Sequence, residues 1–154
     1  MSWAVVRVRG TVNIDGKIKD TLKMLRLNKP NHCVVIPETP TYRGMLQVVK
    51  DYVTWGEIQP SVLSDMLKRR GQLEGGKNVS DNVVKSHTGF ESVSAYSQAL
   101  LKGEASFKKF KELKPVFRLN PPKKGYNGIK RAHSVGGALG YRGDKINELI
   151  RRMI

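Results

Sequence analysis

The richest concentration of contact chemistry in the chain lies in residues 120–145, NPPKKGYNGIKRAHSVGGALGYRGDK. This stretch holds six glycines, six lysines or arginines, and one acid, Asp144. Tyr126 and Tyr141 are interleaved with the cations, so stacking faces alternate with groups that bind phosphate, and glycine lets a sugar-phosphate chain approach closely. The pattern predicts a nucleic-acid-binding segment that gains its order from the bound partner. A solvated basic loop has the same composition, and composition alone does not separate the two.

Residue types that support catalysis or metal binding are scattered through the sequence. His32, His87 and His133 have no metal-ligand spacing, and Cys33 is the only cysteine, so neither a metal site nor an internal disulfide is expected. The glycine-rich run GGALGYRG lacks the GK[ST] ending of a phosphate loop. The 13 acids are dispersed, and no serine or cysteine has a nucleophile context. We therefore expect no enzyme, no cofactor and no small-molecule substrate.

The charge of the chain indicates its partner. The 154 residues carry a formal net charge of +15, and residues 115–154 hold nine lysines or arginines against two acids. A surface this positive repels itself unless a polyanion neutralises it. No apolar run approaches the length of a membrane span, and no secretory leader pattern opens the sequence, so no membrane partner and a cytoplasmic location are expected. Nucleic acid is the predicted partner.

The first sixty residues alternate between strand and helix patterns. WAVVRVRG, HCVVIP and VTWGEI are β-branched runs that predict three strands. Between them, apolar residues recur at helical spacing, first through Ile18, Leu22 and Leu25 and then from Met45 to Tyr52. The resulting βαβαβ order predicts an α+β fold, in which a three-stranded sheet carries two helices on one face.

The rest of the chain divides into two further parts. Residues 59–113 predict a helical extension, with helices opening at Ser61, over 80–86 and over 91–102. Residues 114–154 combine the strand candidate KPVFRL, the basic glycine-rich segment and a last helix capped by Asp144. Residues 1–58, 59–113 and 114–154 are thus the expected domain divisions. Arg69 and Arg70 end the first of these helices, where they would serve phosphate contact or complement the helix dipole equally well.

Several motifs together resemble a known family. TPTYRGM after the second strand, KRRGQLEGG, and FRLNPPKKGYNGIKRAHSVGGALGYRGDKINEL are similar to the large-subunit ribosomal protein family called L-thirty, or L-seven in eukaryotic nomenclature. The resemblance covers nearly the whole chain. Bacterial members end near the position of Ile58, and eukaryotic members carry a basic N-terminal extension, so the archaeal branch is expected.

The resemblance implies a split ferredoxin-like sheet and a structural, rRNA-binding role in the large ribosomal subunit. Its implied partners are large-subunit rRNA and neighbouring ribosomal proteins. By position, the family's RNA contacts would fall on Arg26, Asn31, His32, Arg43 and Gly44. The basic C-terminal part supplies the remaining candidates, which are Arg118, Lys123, Lys124, Tyr126, Lys130, Arg131, His133, Tyr141 and Arg142.

Two other classes of function stay open at this point. A free RNA or DNA chaperone would share the charge and the basic segment without belonging to the ribosome. A nucleic-acid-processing enzyme would need an acidic metal site, and the sequence offers no such cluster.

Overall fold

The computed structural model describes residues 2–10, 12–105, 110, 113–126 and 128–154. Within those ranges the chain forms five β-strands and six α-helices. The strands are β1 (Ser2–Arg7), β2 (His32–Pro37), β3 (Val53–Glu57), β4 (Phe117–Arg118) and β5 (Gly140–Tyr141). The helices are α1 (Gly16–Met24), α2 (Pro40–Val49), α3 (Pro60–Arg70), α4 (Asp81–Thr88), α5 (Val93–Lys102) and α6 (Ile146–Met153).

The five strands form one mixed sheet in the order β4-β2-β1-β3-β5. The central strand β1 pairs antiparallel with β2 and β3, as in the predicted βαβαβ unit. The C-terminal part of the chain adds a short strand at each edge: β4 runs antiparallel to β2, and β5 runs parallel to β3. The predicted α+β class and its βαβαβ core are confirmed.

The sheet is covered on both faces, which explains why its strands are apolar almost throughout. Successive side chains of a strand point to opposite faces. Trp3 and Val5 of β1 join the cluster under α1 and α2, whereas Ala4 and Val6 join the cluster formed with α3, α5 and α6. The two helices predicted for one face are therefore present, and the later helices form a second layer on the other.

Local signals explain most of the helix boundaries. Asp15 caps α1 by accepting a hydrogen bond from the Lys17 amide at 3.3 Å, and Thr39 caps α2 in the same way, accepting from the Tyr42 amide. Ser92 caps α5, which Gly103 ends in the left-handed conformation. The predicted cap by Asp144 is wrong. Its side chain makes no capping bond, because a 3-10 turn over Gly143–Lys145 precedes α6.

The side chains of all three predicted parts meet in one hydrophobic cluster. Val6 comes from the first part, Met66 and Tyr96 from the second, and Phe117 and Ile146 from the third. A shared cluster does not decide whether a fragment folds alone, so the division at residues 58 and 113 stays a prediction. It does mean that a break after residue 113 would strip the sheet of α6.

Candidate nucleic-acid interface

The glycine-rich segment is joined to the sheet by its second half. The Thr54 hydroxyl of β3 donates to the Gly140 carbonyl at 2.8 Å, and the Arg142 amide donates to the Trp55 carbonyl at 2.9 Å. The Arg142 side chain reinforces this junction, since its Nε donates to Thr54 Oγ1 at 2.8 Å and its Nη2 to the Ala138 carbonyl at 2.7 Å. Arg142, predicted as an RNA contact, thus also holds the segment in place.

The segment also has a small apolar anchor. Ala138 and Leu139 are buried together with Val8, and the ring of Tyr126 packs against them. The composition of the stretch did not indicate this packing, because only two of its side chains, among many glycines and cations, belong to this buried cluster. Backbone bonds within the segment add support, including those from the Ala138 amide to the Gly128 carbonyl and from the His133 amide to the Leu139 carbonyl. The predicted gain of order on binding a partner stays a prediction.

The first half of the segment is tied to the loop before β2. The Tyr126 hydroxyl donates to Asn31 Oδ1 at 2.6 Å. Burial raises the pKa of Tyr126 to about 12, so the hydroxyl stays protonated and able to donate. Asn31 has a φ of +67°, a left-handed conformation that asparagine tolerates better than most residues. Two residues expected to bind RNA are therefore hydrogen-bonded to each other.

A buried arginine supports the same loop, and the sequence pattern did not indicate it. Arg7 is only 2% exposed, and its guanidinium donates to the Leu27 carbonyl at 2.7 Å and to the Arg9 carbonyl at 2.9 Å. The Arg7 carbonyl accepts from the Asn31 amide at 2.7 Å. Because arginine is rarely buried, a strand pattern does not indicate a buried Arg7, and only the packed structure shows this supporting contact.

The loop, the sheet edge and the segment form one continuous region. His32 pairs with Arg118 across β2 and β4, next to the bond between Asn31 and Tyr126. Burial lowers the pKa of His32, and the positive charge of Arg118 lowers it further. Arg26 is exposed in the same loop and has a φ of +63°. The candidates Asn31, His32, Arg118 and Tyr126 are thus close together, with Arg26 in the same loop.

Other candidates lie elsewhere on the molecule. Arg43 and Gly44 are exposed on α2, which covers the face opposite α6, and the Arg43 guanidinium lies 5.8 Å from the centre of the Trp3 ring. Arg69 and Arg70 end α3, where they also complement the helix dipole. The described contacts do not join either pair to the glycine-rich segment.

Tyr141 offers a stacking face at the β5 edge. Its side chain is 53% exposed, and its hydroxyl donates to the two Glu57 carboxylate oxygens at 2.6 and 2.8 Å. The hydrogen bond to Glu57 raises the pKa of Tyr141 to about 12. The ring is therefore exposed while its hydroxyl is bonded to Glu57.

Most cations among the predicted contact residues are exposed and lack an acidic partner. In the part of the chain that the structure describes, the ion pair formed is Arg151 with Asp65, at 3.0 Å. The exposed candidate cations are Arg26, Arg43, Arg69, Arg118, Lys123, Lys124, Lys130 and Arg131. Uncompensated charge spread over loops and helix ends suits a phosphate backbone, which presents one negative charge per nucleotide.

Sequence comparison shows the family of the chain. A family model described as Ribosomal protein L30p/L7e matches residues 3–53. A relative from Archaeoglobus fulgidus, named Large ribosomal subunit protein uL30, is 54% identical over 151 residues, which is 98% of this chain and 99% of the relative. The chain belongs to the uL30 family of large-subunit ribosomal proteins.

Other archaeal members of the uL30 family align just as completely. Proteins of the same name from Methanoculleus marisnigri and Methanopyrus kandleri are each 49% identical, over 98% and 96% of this chain and 99% and 100% of their own lengths. These matches confirm the predicted family and its archaeal branch. As a uL30 protein, the chain is a structural constituent of the large ribosomal subunit and not an enzyme.

Two structural observations accompany this assignment. No helix among the described residues is long and apolar enough to cross a membrane. Within the same residues, histidine, cysteine and acidic side chains form no group of three that could hold a metal ion.

Proposed function

We propose that this uL30 protein binds large-subunit rRNA through its basic loops and its basic glycine-rich C-terminal segment. Large-subunit rRNA and the neighbouring ribosomal proteins are the partners that membership of the family implies. The observation that carries the proposal is the set of exposed, unpaired cations around the loop before β2, the β4 edge and residues 123–131. Phosphate neutralises such charges without requiring a particular base sequence.

We assign different roles to different candidates. Lys130 and Arg131 are exposed in a turn of the segment and serve phosphate contact. Tyr141 supplies a stacking face, whereas Asn31 and Tyr126 hold the loop and the segment together. Arg142 combines both kinds of role, because its guanidinium anchors the segment to Thr54 while remaining partly exposed.

The salt dependence of RNA binding tests the proposal. Each phosphate contact contributes roughly 0.7 to 0.9 to the slope of log affinity against log salt concentration. Replacing both Lys130 and Arg131 with glutamine should therefore lower the slope by roughly 1.4 to 1.8. The melting temperature should hardly change, since neither side chain is buried.

A matched control separates contact from general charge. The double variant Lys50→Gln/Lys85→Gln removes the same charge at two exposed positions, one at the end of α2 and one on α4. It should leave the slope close to that of the unmodified protein. Equal slopes for all three proteins would show that Lys130 and Arg131 do not contact phosphate. Co-sedimentation in high-salt gradients is a second test. A free chaperone would dissociate from large subunits there, whereas a uL30 constituent would stay bound to them.

A further inference from the structure

A polar cavity of about 220 Å³ lies between the glycine-rich segment and α6. It has room for a tetrahedral oxyanion together with water. Its charged and polar side chains are Tyr126, His133, Arg142, Lys145, Glu148 and Arg152. Lys145 and Arg152 were not among the candidates predicted from sequence.

The charges around this cavity are unbalanced. Arg142, Lys145 and Arg152 face a single acid, Glu148, and none of the three forms an ion pair with a described residue. Burial lowers the pKa of Arg142, and the positive charge of Arg152 lowers it further. The two guanidiniums therefore repel each other across a partly desolvated space, and a bound anion would relieve that repulsion.

The two guanidiniums are held in place by bonds that do not neutralise them. Arg142 donates to Thr54 and to the Ala138 carbonyl, while Arg152 Nη1 donates to the carbonyls of Lys123 and Gly125 at 3.2 and 3.3 Å. Arg142 Nη1 and Arg152 Nη2 make no hydrogen bond to the described residues. Donors fixed by other bonds bind an anion with little loss of side-chain entropy.

We propose that this cavity binds one phosphate oxyanion between Arg142, Arg152 and Lys145, with the His133 imidazole at its edge. The phosphate group is the chemistry recognised, and its source is either an rRNA backbone phosphate or phosphate from solution. The rRNA arm rests on the proposed function, whereas the arm with free phosphate does not.

The pKa of His133 reports on occupancy of the cavity. Burial lowers this pKa, as do the charges of Arg142 and Lys145, while a hydrogen bond to the Gly137 backbone acts in the opposite direction. A bound phosphate adds negative charge beside the ring and must raise the pKa. NMR titration of the full chain measures the pKa of His133, first alone, then with inorganic phosphate and then with a short RNA oligomer. The variant His133→Gln identifies the His133 resonance among those of the three histidines.

Two variants locate the effect. Lys145→Gln removes an exposed cation whose side chain makes no structural hydrogen bond to the described residues, so the fold should remain intact. It should weaken phosphate binding about two- to fivefold, as expected for one exposed charge pair. Lys50→Gln removes the same charge on the opposite face and should leave the binding unchanged.

Each outcome has a defined meaning. If inorganic phosphate raises the His133 pKa, and if Lys145→Gln but not Lys50→Gln makes that rise smaller, the site is open to phosphate from solution. A rise with the RNA oligomer only supports an rRNA phosphate. If neither ligand moves the pKa, or if both variants reduce the rise equally, the inference is overturned. The proposed function would still stand if Lys130 and Arg131 continued to set the salt slope.

Discussion

At Gly56 the first and last parts of the chain approach each other closely. A Cβ atom built on Gly56 would overlap the Gly143 carbonyl and lie 3.0 Å from the Ile146 Cβ. The obstacle is backbone rather than the end of a flexible side chain, so it cannot move aside alone. Gly56→Ala should force β3 away from the 3-10 turn that leads into α6.

The magnitude follows from the contacts that such a shift would disturb. Inserting a methyl group into a packed core costs roughly 1 to 3 kcal/mol. Asn147, at the start of α6, accepts from the Gln59 amide at 2.8 Å and donates to the Glu57 carbonyl at 3.0 Å. If both bonds are lost at roughly 0.5 to 1.5 kcal/mol each, the total decrease in unfolding free energy is roughly 2 to 6 kcal/mol.

Chemical denaturation, followed by circular dichroism, measures this decrease. The denaturant midpoint should fall while the slope of the transition stays the same. Gly44→Ala is the matched control, because a methyl group added at this helical residue would meet no atom within 4 Å beyond its chain neighbours and the backbone of its own helix. That variant should be stabilised by up to about 1 kcal/mol. A Gly56→Ala protein as stable as the unmodified chain would refute the close approach of β3 and residues 143–146.

The remaining predictions concern single side chains. Tyr126→Phe leaves Asn31 Oδ1 without its donor and should lower the unfolding free energy by about 1 kcal/mol; an unchanged denaturant midpoint would argue against this bond. Burial raises the pKa of Cys33 to about 12, so a thiol reagent at neutral pH should label it only after denaturation, and rapid labelling of the native protein would contradict its burial. The pKa of His32 is below its ordinary value of 6.5 in the folded chain, so the unfolded chain binds more protons as the pH falls below 6.5. The contribution of His32 to stability is complete above that pH and is lost as the pH falls through the folded pKa. The variant His32→Gln should therefore lose less unfolding free energy as the pH is lowered. An equal loss in both proteins would contradict the lowered pKa of His32.

Local sequence was enough to predict the core elements. The β-branched runs around Val5, Val34 and Val53 and the helical spacing of Ile18, Leu22 and Leu25 are short-range patterns that a strand or helix requires wherever it packs. The caps at Asp15 and Thr39 depend only on atoms within three residues, so they need no distant part of the chain. Charge also needs no fold, because the excess of cations favours a polyanionic partner in any arrangement.

The contacts between the glycine-rich segment and other parts of the chain could not be predicted from composition. The support of this segment comes from residues distant in sequence: Thr54 is 86 positions from Gly140, and Asn31 is 95 positions from Tyr126. A composition argument counts the apolar side chains inside the segment and omits bonds supplied from outside it. For that reason the sequence indicated a segment ordered mainly by its partner, whereas the folded chain also attaches it to β3, to α6 and to the loop before β2.

The basic character of the C-terminal part follows from sequence, whereas the cavity follows only from the tertiary structure. Composition alone determined that the C-terminal part is basic, glycine-rich and suited to contact with a polyanion. Only the tertiary structure decided that Arg142 and Arg152 lie at one cavity, that Asn31 holds Tyr126, and that α2 carries Arg43 on the opposite face. The physical reason is that charge and periodicity are properties of neighbouring residues, whereas the convergence of cations depends on how the sheet and α6 pack together.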